Sequence, residues 1–109
     1  MEGLISGNKR TYDDFKKQLT PQIKPLFDEL RNYCLSLGKN VVEDVRMHRV
    51  VFGKSMIFRF FADIEPQRDS ALIKIRRDRK EPSREIDIKP NVNLEQVKNL
   101  LFDAYSNIR

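Results

Sequence analysis

Apolar residues fall on alternate positions through Met56, Phe58, Phe60, Ala62 and Ile64. That is the two-residue period of a strand with one buried face. The same period assigns Ile57, Arg59, Phe61 and Asp63 to the opposite face. Upstream, Val41 to Phe52 is rich in β-branched residues and reads as one strand. Its alternation changes phase between Val45/Met47 and Val50/Phe52, which suggests a bulge near His48-Arg49. Gly53-Lys54-Ser55 reads as a tight hairpin turn, and Gln67 to Ser70 as a second turn. Ala71, Ile73 and Ile75 alternate in a third strand. After a polar loop from Asp78 to Ser83, Arg84 to Lys89 alternates as a fourth.

On either side the spacing becomes helical. Thr11 followed by Asp14 resembles a capping box and starts a short helix over 12–19. Thr20 caps a second helix over 20–37, with Pro21 at its first position and Pro25 confined to the first turn. Ile23, Leu26, Phe27, Leu30, Tyr33, Cys34 and Leu37 share one face, and Gly38 supplies the stop. Asn93 with Gln96 opens a final helix over 93–107, whose stripe is Leu94, Val97, Leu101, Ala104 and Ile108. Short turns force antiparallel neighbours, and each helix must bury its stripe on the sheet. The predicted fold is α+β. It is a two-layer sandwich, a four-stranded antiparallel sheet with N- and C-terminal helices packed on one face. Residues 1–10 read as a flexible lead-in and 11–109 as a single domain, in which Leu30, Phe60 and Leu101 are expected to be buried.

Leu26-Phe27-Asp28-Glu29-Leu30, Leu37-Gly38, Val45 through Phe52, Phe60-Phe61 and Leu101-Phe102-Asp103-Ala104-Tyr105 together resemble a small prokaryotic domain family of unknown function. In that family a helix precedes a curved antiparallel sheet, and a helix ending near an Ala-Tyr pair closes it. Its domain is often the C-terminal part of larger proteins, some labelled as predicted transport proteins and some nuclease-like. The resemblance covers roughly residues 20–109 and carries no catalytic residues onto this chain.

Composition narrows the function classes. The chain has 109 residues, enough for one core. No apolar run approaches the roughly 18–20 residues that span a bilayer. The N-terminal residues lack a secretory apolar stretch, so a cytoplasmic location is expected, with no membrane partner. The single Cys34 has no internal disulfide partner; on the apolar stripe it reads as a small buried hydrophobe. His48 is the only histidine and reads as a surface residue. Neither a structural metal nor a cofactor is expected.

The net charge of +5 is unevenly spread: residues 68–89 carry 8 basic and 5 acidic groups, concentrated at Arg76-Arg77-Asp78-Arg79-Lys80. This run is the candidate nucleic-acid contact, through Arg76, Arg77, Arg79 and Lys80. Asp87-Ile88-Lys89, with Asp63 or Asp78, gives a weak metal-dependent nuclease pattern. Arg59 beside Phe61, with Ile57, offers the aromatic and guanidinium pair favoured at protein interfaces. The expected function is therefore a non-catalytic binding or accessory module that uses this face for a protein partner or for self-association. Weak nucleic-acid binding and a nuclease-like site are the alternatives.

Overall fold

The change of phase after Val45 is a chain reversal, not a bulge. In the computed structural model, which describes residues 10–54, 59–78 and 80–108, β1 (Val41–Val45) and β2 (Val50–Lys54) are separate strands. The Arg46 N–H donates to the Arg49 carbonyl at 2.8 Å and closes the turn. The sheet therefore has five strands rather than four. β3 (Arg59–Pro66), β4 (Ala71–Ile75) and β5 (Arg84–Ile88) complete it in the order β1-β2-β3-β4-β5, with every neighbouring pair antiparallel. Gly53 and Lys54, expected in a turn, continue β2. Ser55, Met56, Ile57, Phe58, Arg79 and the lead-in positions before Arg10 lie outside the described residues.

Register gives each face its character. Val45, Val50, Ile64, Ile73 and Ile86 align across all five strands as one aliphatic rung on the buried face. One rung over, Asp44, Val51, Asp63, Lys74 and Glu85 align on the other face. Among the described residues the regular alternation breaks once. Phe52 pairs with Ala62 but Gly53 pairs with Phe60, so Phe61 is an extra residue in β3. A bulge of this kind turns two successive side chains the same way. Phe61 and Ala62 are both fully buried and belong to the core with Ile64. Phe60, expected in the core, is instead half-buried on the other face.

Among the described residues three helices form the second layer: α1 (Tyr12–Lys16), α2 (Lys24–Ser36) and α3 (Glu95–Asn107). α1 ends sooner than expected; Thr11 caps it by accepting from the Asp14 N–H at 3.1 Å. α2 begins at Lys24 rather than at Thr20, because residues 21–23 form a turn whose Ile23 and Lys24 N–H groups donate to the Thr20 carbonyl. Pro25 thus sits in the first turn, where its missing N–H costs nothing. Phe15, Phe27, Leu30 and Leu101 are fully buried against the aliphatic rung. Gly38 has no positive φ. Its requirement is space: a Cβ there would collide with the Tyr105 hydroxyl, which itself donates to Asn40 Oδ1 at 2.5 Å. No helix among the described residues is long and apolar enough to cross a membrane.

Candidate functional site on the open face of the sheet

Three interactions show that the helices share one face. Arg31 of α2 forms a two-point pair with Glu43 of β1, its Nη2 reaching Oε1 at 3.1 Å. Lys54 of β2 donates to the Tyr105 and Ile108 carbonyls at the end of α3, at 2.7 and 3.2 Å. Its ammonium also lies 4.5 Å from the centre of the Tyr105 ring. A cation at a helix C-terminus meets the negative end of the helix dipole, which favours this placement. Phe61 packs edge-on against Tyr105, with ring centres 5.5 Å apart.

This geometry corrects the sheet face expected to be open. Phe61 lies under α3 and is fully buried. Arg59 pairs across from Lys54 and shares its helix-covered side. Ile57 lies outside the described residues. The bulge at Phe61 inverts the phase, so the accessible aromatic is Phe60. Phe60 faces Gly53 across the strands, and Gly53 in turn faces Val42, which is 40% exposed. The absent side chain at Gly53 leaves backbone that the Phe60 ring can cover. The Arg76 guanidinium stands 5.0 Å from that ring centre.

The remainder of this face sets charges of both signs around Leu72 and Val51, the latter 2% exposed. Arg49 reaches Asp63 Oδ2 at 3.1 Å and Glu65 at 3.3 Å. Asp63 is 9% exposed, and its Oδ1 is buried with no hydrogen-bond donor among the described residues. Lys74 stands between Asp63 and Glu85 in register, and Leu72 between Glu65 and Asp87.

The other sequence-derived candidates do not assemble. Alternation sends Arg76 to the open face, while Arg77 pairs with Asp103 of α3 at 3.0 Å and with Glu81 at 3.9 Å. Lys80 is exposed and its N–H donates to Asp78 in the loop, and Arg79 lies outside the described residues. The basic run is thus divided between two faces. Asp63 and Asp87 lie on different strands and different rungs; Asp87 accepts from Ser70 at 2.6 Å, and Lys89 pairs with Asp69 at 3.6 Å. Among the described residues no group of three or more His, Cys, Asp or Glu is placed to hold a metal ion. Cys34 is fully buried, and burial pushes its thiol pKa well up, which suppresses thiolate chemistry. His48 is exposed in the β1–β2 turn. No family model matches the chain, and comparisons with curated proteins and with solved structures find no match.

Proposed function

We propose that this chain is a non-catalytic binding module that holds a protein partner against the open face of its sheet. The observation that carries the reading is the set of Phe60, Arg76 and Val42 on the face without a described helix. A half-buried aromatic with a guanidinium on its ring is the composition of an interface anchor. Interspersed charges around it set register and exclude wrong partners. Nucleic acid is the poorer occupant, because Asp44, Asp63, Glu65, Glu85 and Asp87 lie on the same face and would repel phosphate.

Photo-crosslinking tests the assignment. A benzoylphenylalanine placed at Phe60 or Val42 should give a discrete cross-linked protein species. The same probe at His48, in the exposed turn, should not. Phe60→Glu should abolish the Val42 cross-link, since it removes the anchor ring and turns the Arg76 guanidinium to a carboxylate instead. Equal labelling from all three positions would refute the reading. So would salt-sensitive binding of single-stranded oligonucleotide by the unmodified protein at about 0.15 M salt.

A further inference from the structure

The sheet has a second surface at its outer strand. Among the described residues β1 and β5 are the edges, and they are guarded differently. α2 packs over β1, Arg31 ties down Glu43, and the hollow beside that strand is lined with charges that include Arg10, Asp13 and Asp44. α3 packs over β3 and β4. It leaves an open cleft of about 410 Å³ at the Arg84 end of β5, lined by Ile75, Pro82, Leu100 and Ala104 together with the charged Arg77, Glu81 and Asp103. Ile86 is half-buried on this side of β5, and Arg84 is exposed at the cleft. Glu85 and Asp87 point to the opposite face and are exposed.

An edge strand presents unpaired N–H and C=O groups that accept another strand. The side chains of β5 specify which one. A second copy is disfavoured by charge. Antiparallel self-pairing that keeps the buried faces together must centre on residue 85, 86 or 87. Those registers set Glu85 against Glu85, Glu85 against Asp87, or Asp87 against Asp87, and like charges directly opposite are destabilising. The inner neighbour shows what suits this strand: β4 sets Lys74 opposite Glu85 and Ile73 opposite Ile86.

We propose that β5 accepts an extended segment of a partner protein as an additional antiparallel strand carrying the pattern aliphatic-basic-aliphatic-basic-acidic. Its basic residues face Asp87 and Glu85. Its aliphatic residues lie beside Ile88 and Ile86 on the helix-covered side of the sheet. Its acid meets Arg84, which has no ion pair among the described residues. This surface shares Glu85 and Asp87 with the open face but is centred on the β5 edge, away from Phe60 in β3 and Val42 in β1.

The test uses a blocked peptide, Val-Lys-Val-Lys-Glu, titrated into the full chain while backbone amide shifts and hydrogen exchange are followed. Saturable shifts with slowed exchange in residues 84–88 are expected. Peptide N-methylated on the edge that faces β5 lacks the ladder donors and should not bind. Glu85→Lys should weaken the lysine peptide about fivefold and favour Val-Lys-Val-Glu-Glu, in which only the residue facing position 85 is reversed, as a cross-strand charge pair of up to about 1 kcal/mol requires. Phe60→Glu should leave this binding unchanged, so failure here and failure of the open-face reading are distinguishable. The proposal is overturned by binding indifferent to N-methylation, by shifts centred on Phe60 and Val42, or by no saturable shift at about 1 mM peptide or above.

Discussion

Adjacent phenylalanines in β3 should differ sharply in their contribution to stability. The Phe61 ring is fully buried and packs edge-on against Tyr105 at 5.5 Å. Its truncation to Ala removes the transfer term and leaves a cavity beneath α3, a loss of about 3–5 kcal/mol. Phe60 is half-buried on the other face, with the Arg76 guanidinium 5.0 Å from its ring centre and Gly53 opposite it in register. Partial burial and an exposed cation–π contact together amount to about 1–1.5 kcal/mol. The assay is guanidinium unfolding of Phe60→Ala and Phe61→Ala, with the slope checked for constancy so that midpoints report stability. A domain of this size has about 5–15 kcal/mol in total, so Phe61→Ala can approach the limit of folding. Phe61→Leu keeps most of the volume and provides a measurable intermediate. Equal losses, or a larger loss at Phe60, would mean that β3 alternates without a bulge and that Phe60 is the core residue.

Two further perturbations follow from contacts in the helical layer. Burial acts to raise the Asp28 carboxyl, but Lys16 at 2.7 Å and the Tyr12 hydroxyl at 2.8 Å outweigh it and hold the pKa below its ordinary value. A depressed folded pKa gives stability that is present above the unfolded value and lost as pH falls through the folded one. Asp28→Asn should therefore flatten the loss of stability below about pH 4, read as urea midpoints across the acid range; an unaltered acid limb would contradict this. Gly38→Ala places a methyl against the Tyr105 hydroxyl and should cost roughly 1–3 kcal/mol. Adding Tyr105→Phe, which removes the obstructing oxygen, should recover part of that loss in thermal melts; strict additivity of the two changes would show that the contact is not the cause.

The helices were legible because their stripes recur at three and four residues, and Leu30, Cys34, Leu101 and Ala104 are all fully buried. The alternating strands after Pro66 were equally plain. The β1–β2 reversal was not, because Arg46-Met47-His48-Arg49 contains none of the Gly, Pro, Asn or Asp residues that mark a turn. A phase slip in an apolar pattern fits either a bulge or a reversal, and only hydrogen bonding separates them. The bulge was hidden for a different reason. Phe60 and Phe61 fit a core position equally well by chemistry, so alternation alone cannot say which is extra. The available signal was Gly53: a glycine inside a strand pattern points to a bulge or a close backbone approach as readily as to a turn.

The candidate site was the least legible because no local run of sequence contains it. Its central rung takes Asp44, Val51, Asp63, Lys74 and Glu85 from five separate strands, and register alone makes them neighbours. A motif can be read when the chain brings its groups together within a loop or one helical turn. A sheet face is built by taking every second residue from several strands, which dilutes any local signature. The same sampling disperses apparent motifs. Arg76 and Arg77 are adjacent in sequence, yet one stands over Phe60 and the other grips α3. A local basic excess therefore becomes a face of mixed sign on which acids lie among the bases. Under the proposed reading, a partner is selected by the position of each charge rather than by net potential, so a protein surface with a matching arrangement would satisfy the face where a uniform polyanion would not.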